Sequence, residues 1–499
     1  MTPPAAVAPA AIDPRIPRFT TFGWVSPPLD STSAGRYAEL AGAGLDLTVL
    51  ALDDAGRRED NLHRLDVAEP VGARCLLYDR RLYRTDPRTP SGLARMDSVI
   101  GDYRDRPGFF GWYLGDEPAP AVWDTLALLA DSLRSRDPGH VPWNNLLGRG
   151  AFPTRKAWEQ YLRSYMDQLH PAVLCADYYD FEYGRDDGLF VENAAGLNAL
   201  SRERGIPFWA IVLLVGHGRF RVPTEGELKW QVSMLLAYAA RGVGYFTYWT
   251  PPPDPAWNWQ PAVIGQDGTR TGWYGVLARF NPRVRAAGET LADLQWLSTT
   301  HAGSVPRGGT PFAPDGWVSA VSGRAALGHF ADSSGARWLL VANADSAAGR
   351  TIGLRLVGTR RVQRLDPDGA WRLLLGLPSG RDLLVNLPLA AGDFALLKLE
   401  GTLDGISGSG AGPHLAIAPE PASERAQLSL AGVGARARVE ILDGAGRRVW
   451  SREVPAGATT FDWAGEREAG GTVPAGVYFV RVEDARGVAV VRLHWLGRR

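Results

Sequence analysis

The sequence predicts an α/β protein, a (β/α)8 TIM barrel followed by two carboxyl-terminal all-β sandwich domains. Three observations carry this. From about residue 18 to 290 eight short apolar runs alternate with amphipathic helical stripes. After about residue 300 the rhythm changes to short alternating runs punctuated by Gly and Asp-Gly. A run rich in Gly and Ser at 401–412 then separates a last all-β stretch. Strands buried on both faces and alternating with helices form parallel sheets, and eight such units close into a barrel.

The elements follow in order. Residues 1–17 are rich in Ala and Pro and are expected to be disordered. The barrel is expected over 18–298, with strands at 19–25, 48–52, 73–78, 109–115, 141–147, 172–179, 207–215 and 243–249. Between them, Trp158, Tyr161, Leu162, Tyr165, Met166 and Leu169 recur at helical spacing, as do Trp123, Leu126, Ala127, Ala130 and Leu133. The second helix stops at Asp137-Pro138-Gly139. Residues 299–400 read as a β-sandwich, 401–412 as a linker, and 413–499 as an immunoglobulin-like or fibronectin-like sandwich with strands near 437–443, 447–453, 476–483 and 488–495.

Bulk properties exclude several functions. Fifty-four basic and 54 acidic residues cancel, so a nucleic-acid partner is not expected. No run of 18 apolar residues exists, so no membrane span is expected. Cys75 and Cys175, on strands lying across the barrel from each other, are expected as buried thiols. No Gly-x-Ser-x-Gly elbow, phosphate-binding loop, dinucleotide fingerprint or zinc spacing is present, so neither a cofactor nor a metal is expected. Eighteen Trp residues supply aromatic faces suited to sugar rings, although Trp also fills cores.

The chemistry of a barrel sits at the carboxyl ends of its strands. Here those ends carry Trp24; Asp53 and Asp54; Asp79, Arg80 and Arg81; Asp116 and Glu117; Asn144 and Asn145; Asp177, Tyr178, Tyr179 and Asp180; His217 and Arg219; Tyr248 and Trp249. Acids, amides, aromatics and a histidine on one rim suit a carbohydrate, which needs proton transfer, hydroxyl binding and a stacking surface. The fourth run, Phe109 to Gly115, is apolar until it meets Asp116-Glu117-Pro118. Helix capping is the competing role for those two acids, and an ordinary loop is the competing role for 177–182. Trp249 could plug the mouth or lie under a sugar ring, and His217 suits a substrate hydrogen bond better than a metal.

Residues 109–118 resemble the fourth-strand motif of clan A glycoside hydrolases. The stretches 221–228 and 237–249 resemble the seventh helix and eighth strand of bacterial β-galactosidase-like barrels of that clan. The resemblance implies Glu117 as proton donor, Asp116 as a ligand for a sugar hydroxyl, and Trp249 as the stacking platform. It breaks at the seventh strand, Ile211 to His217, which lacks the clan's nucleophilic glutamate; Glu225 and Glu227 read as the first turn of the next helix. Three alternatives stay open: Asp177 or Asp180 serves as nucleophile or base, the substrate's own acetamido group attacks, or the barrel binds sugar without cleaving it. The expectation is therefore a glycoside hydrolase acting on an oligo- or polysaccharide, with a non-catalytic carbohydrate-binding or cell-surface protein as the alternative.

Residues 413–499 resemble the immunoglobulin-like module of flagellar hook-capping proteins and secretion-sorting domains. The likeness rests on 439–443, 446–449, Phe461-Asp462-Trp463-Ala464-Gly465 and 474–481, departing at Ala464 where Asp is usual. It implies an extracellular or periplasmic protein that meets cell-surface or secretion machinery. The amino terminus shows no signal-peptide pattern, so a leader missing from the sequence is part of that expectation.

Overall fold

The computed structural model describes residues 13–366, 368–401, 414–418, 422–431, 436–443, 446–455, 460–484 and 487–497. Eight parallel strands make the first sheet: β1 (Thr20–Trp24), β2 (Leu47–Thr48), β3 (Arg74–Leu77), β4 (Phe109–Asp116), β5 (Val141–Asn145), β6 (Leu174–Asp177), β7 (Phe208–Leu213) and β8 (Gly242–Phe246). Their order is β5-β4-β3-β2-β1-β8-β7-β6. A parallel bridge between Leu146 and Ala176, with the Leu146 N–H donating to the Cys175 carbonyl at 3.0 Å, closes the ring. The predicted barrel is thus present. Its second strand is shorter than the 48–52 expected, because Ser26 takes the Leu50 carbonyl and draws the chain out of the ladder.

The helices are α1 (Ala34–Gly42), α2 (Arg58–Ala68), α3 (Pro90–Tyr103), α4 (Trp123–Arg136), α5 (Arg155–Leu169), α6 (Phe190–Arg204), α7 (Glu225–Ala237) and α8 (Gly272–Ala292). Local chemistry explains their ends. Thr89 and Thr154 accept from the N–H groups of Gly92 and Ala157, and α6 stops where Gly205 takes φ +69°. Thr224 and Glu227 form a reciprocal capping box at the start of α7, and Glu225 pairs with Lys229 at 2.6 Å, so both acids of that turn have structural partners.

The barrel interior is aromatic. Phe22, Trp24, Phe110, Tyr113, Trp143 and Trp209 fill it, where branched aliphatic side chains are usual. Glycines make the room: a Cβ on Gly242 would lie 2.6 Å from the Trp209 ring, and one on Gly244 would lie 2.4 Å from the Phe22 ring. Ile16, 5% exposed, belongs to the same cluster. The expected disorder of 1–17 is therefore corrected for 13–17, where Ile16 is buried and Arg15 donates to the carbonyls of Pro138 and His140 at 3.2 Å; residues 1–12 lie outside the described set. Cys75 and Cys175 are free and buried.

A β-sandwich follows, beginning at Gln295, within the span expected for the barrel. Its seven-stranded and four-stranded sheets enclose a core that includes Leu327, Val341, Leu354, Leu387 and Leu397. It is fastened to α7: the Ser233 hydroxyl donates to the Gly392 carbonyl at 2.8 Å and Thr299 to Ala237 at 2.6 Å. The predicted linker, Gly401 apart, lies outside the described residues. Strands at Arg436–Leu442, Arg448–Pro455, Gly476–Asp484 and Gly487–Trp495 form one sheet of the last module, and His414–Ala418, Ala426–Ala431 and Thr460–Trp463 the other. Val439, Ile441, Trp463, Val480 and Trp495 are among its core. Among the described residues no helix is long and apolar enough to cross a membrane.

Candidate active site

The end of β4 is built irregularly. The pairing register with β5 shifts between Tyr113 and Asp116, Gly115 takes φ +123°, and Glu117 takes the left-handed φ of +42°. Such a bulge re-aims side chains at a barrel rim, and a non-glycine residue there costs about 1–3 kcal/mol that its surroundings must supply. Asn145 on β5 supplies part of it. Its carbonyl accepts the Glu117 N–H at 2.9 Å, and its side-chain amide donates to Asp116 Oδ1 at 3.1 Å. At the end of β6 one oxygen of Asp177 is buried without a hydrogen-bond partner, and the nearby Asn145 and Tyr179 side chains favour its charged form. Glu117 and Asp177 lie close enough for each to shift the proton affinity of the other.

Three carboxyls in one mouth cannot all ionise freely. Burial, then the charges of Asp177 and Asp116, push Glu117 up to about 8. Asp177 is also raised by burial, but the Asn145, Tyr179 and Glu117 side chains favour its ionised form. Of the two, Glu117 therefore holds the proton. Surrounding protein and then the Asp177 charge push Asp116 up to about 6, against the Asn145 hydrogen bond. Asp116 faces solvent, so the Asp177 charge is the firmer of those two causes. No arginine or lysine is among the main causes of these three shifts.

Aromatic rings surround the acids. Trp24, Tyr113 and Trp143 form a floor with every pair of centroids 6.0 Å apart. On the β7–β8 side Tyr179 stands edge-on to His217 at 5.7 Å, His217 stacks on Trp259 at 4.9 Å, and Trp259 on Trp257 at 5.7 Å. Opposite them Tyr78 and Tyr83 lie 5.0 Å apart, and the Tyr83 hydroxyl donates to the Tyr113 carbonyl at 3.3 Å.

The structure brings Trp24, Asp116, Glu117, Asn145, Asp177, Tyr179 and His217 to this mouth. It places six other expected rim residues elsewhere. Asp180 turns from the pair: its carboxyl accepts the Gly188 N–H, and burial and the neighbouring Asp187 raise it to about 8. Tyr178, one residue from each inward-facing neighbour, points outward, donates to Asp187 and packs on Phe190. Asn144 likewise faces outward, donating to the Gly115 carbonyl and accepting from Tyr165. Arg219 is exposed and paired with Glu182 at 3.0 Å. Tyr248 is fully buried behind β1, beside Gly23. Trp249 is 2% exposed under the Arg36 guanidinium, so its faces are covered and it offers no stacking platform.

Asp54 and Asp79 are structural as well. Asp54 forms an ion pair with Arg64 at 2.8 Å, and Asp79 holds Arg81 and the Tyr103 hydroxyl. At the seventh strand, the Leu214 and Val215 N–H groups both donate to the Phe246 carbonyl, and their side chains are fully buried. The residues that sequence reasoning missed are Tyr83, Tyr113, Trp257 and Trp259. The pattern Trp257-Asn258-Trp259 in a polar loop rich in proline was the available signal.

Comparison with known proteins adds the following. The FlgD Ig-like domain model matches residues 420–487. No curated protein matches the chain. Structural neighbours are glycoside hydrolase barrels. A glycoside hydrolase family 5 structure from Bacteroides vulgatus is similar at TM-score 0.49 and 12% identity, over 79% of this chain and 94% of that one. A β-galactosidase from the psychrophilic Marinomonas ef1 is similar at TM-score 0.41 and 12% identity, over 55% of this chain and 62% of that one. One from the haloarchaeon Halorubrum lacusprofundi is similar at TM-score 0.40 and 15% identity, over 54% and 58%. The chain thus spans about three fifths of the length of these two β-galactosidases.

Proposed function

We propose that this chain hydrolyses glycosidic bonds, with Glu117 as general acid and Asp177 as its carboxylate partner. The observation that carries the reading is a carboxyl pushed up to about 8 in an aromatic mouth, beside a second, buried carboxyl whose charge helps to raise it. A leaving alkoxide needs a proton as the bond to the anomeric carbon breaks, and an acid protonated at neutral pH supplies it. The bound glycosidic oxygen accepts the Glu117 proton. Asp177 either attacks the anomeric carbon or takes a proton from the attacking water.

Of the two routes we take attack by Asp177 itself, the route that carboxyls ~5 Å apart serve, whereas a separation of ~6.5–9.5 Å serves inversion. Glu117, now a carboxylate, then activates the water that breaks the glycosyl–Asp177 bond. Asp116, tied to Asn145, is the candidate ligand for a sugar hydroxyl. An extracellular or periplasmic site of action belongs to the same proposal; cell fractionation tests it.

The test is a panel of aryl glycosides and polysaccharides offered to the wild type and to Glu117→Gln, with the anomer of the first product read by NMR. Turnover by the wild type, lost in the variant, is expected; undiminished turnover in a folded variant removes Glu117 from the mechanism. One observation favours a second reading, a sugar-binding protein without catalysis: the seventh strand is apolar from Phe208 to Val215 and runs into Gly216-His217 without a carboxylate. Binding without turnover across the panel would select it.

A further inference from the structure

The aromatic rings nearest the acids form two separate banks on opposite sides of the rim. Tyr78 and Tyr83 follow β3, beside β4, whereas His217, Trp259 and Trp257 follow β7 and β8. In a ring of eight, β3 and β7 are four strands apart either way, as are β4 and β8. Each bank reaches solvent at its outer ring: Tyr83 is 43% exposed and Trp257 is 49% exposed. Each is also joined to one member of the acid pair at its inner end. Tyr83 holds the Tyr113 carbonyl, and the Tyr113 ring senses the charges of Asp116 and Glu117. Tyr179, two residues beyond Asp177, stands edge-on to His217 at 5.7 Å.

We propose that the mouth is a through-groove for a neutral glycan chain, which rests on Tyr83 at one side and Trp257 at the other and is cut internally. The proposal rests on the hydrolase reading above and adds the substrate's form to it. A substrate that ended at the acids would need one bank; two banks with the acids between them suit a chain that continues both ways. Exposed ring faces match the C–H faces of pyranose units. Asp116 and Asp177 lie together at the centre of the groove, and their charges disfavour a uronate chain, so the chain is neutral.

The experiment uses the full chain with Trp257→Ala, Tyr83→Ala, Trp257→Phe and Tyr83→Phe. Soluble xylan, glucomannan and galactan are compared with aryl monoglycosides, and each polymer is also cast into native gels to read retardation. Both Ala variants are expected to lower the ratio of kcat/KM on polymer to kcat/KM on aryl glycoside by about tenfold, the scale of one lost ring contact. Both Phe variants keep a ring and should hold the ratio, which separates stacking from the Tyr83 hydroxyl's bond to Tyr113. Viscosity should fall faster than reducing ends appear. An effect at one bank only, at neither, or hydrolysis confined to the aryl glycosides overturns the through-groove. If the wild type turns over nothing but is retarded by a polymer, and both Ala variants lose that retardation, the groove stands and the hydrolase reading falls. The absence of both turnover and retardation overturns the groove.

Discussion

Glu117→Gln separates the site from the fold in a way that other substitutions do not. Glutamine has the shape of the protonated acid and carries no charge at any pH. A carboxyl raised from 4.5 to about 8 binds a proton more tightly in the native than in the unfolded chain. The stability it confers is therefore full below pH 4.5 and is lost as pH rises through 8. The gap between the two values would amount to about 5 kcal/mol if fully felt. Water reaches part of the Glu117 side chain, and screening reduces this to about 2 kcal/mol. Thermal unfolding, followed by tryptophan fluorescence from pH 4 to 9, checks it. The two proteins should unfold together near pH 4, and by pH 9 the wild type should fall behind by about 4 °C. Turnover in the variant should drop by about 10²- to 10⁴-fold at every pH. Wild-type kcat/KM should itself decline as pH rises through about 8, where Glu117 gives up its proton. Parallel unfolding curves, or a variant less stable than the wild type at pH 9, would show that Glu117 is ionised and has a stabilising counter-charge. The acid role would then be lost.

The remaining predictions concern neighbours and scaffold. Asp177→Asn should lose turnover by about 10²- to 10⁴-fold, whereas Asp180→Asn, which mimics the protonated partner of Asp187, should keep it; equal loss in both would refute the assignment, read by initial rates on one substrate. Gly244→Ala drives a methyl to 2.4 Å from the Phe22 ring and should cost about 1–3 kcal/mol in urea unfolding, recovered in part when Phe22→Leu is added. Asp54→Ala strands the fully buried Arg64 guanidinium and should cost about 3–5 kcal/mol by the same measurement.

Much of this architecture is legible in the chain because burial on both faces writes a strand as a continuous apolar run. The β4 stretch from Phe109 to Leu114 and the α5 stripe from Trp158 to Leu169 are read directly. Direction is harder to read. Alternation along β6 turns Asp177 and Tyr179 inward and Tyr178 outward, a rule that could have been applied to the sequence. It could not have given Asp180, whose orientation depends on Asp187, seven residues later across a loop. Nor could it give Trp249, covered by Arg36 from more than 200 residues away. Trp257 reaches the mouth because the Gly218 N–H donates to its carbonyl, a contact between two loops that local pattern does not encode.

The glycine opposite each large ring inside the barrel has a consequence for how such a chain can diversify. Gly242 with Trp209, and Gly244 with Phe22, each fix a sum of volumes, so neither partner can change size alone without crowding the lumen or hollowing it. Drift in the staves must therefore proceed by matched exchanges, one residue growing as its counterpart shrinks. The loops that carry Tyr83 and Trp257 are under no such bookkeeping, and can be refashioned for new partners while the cask beneath them keeps its dimensions.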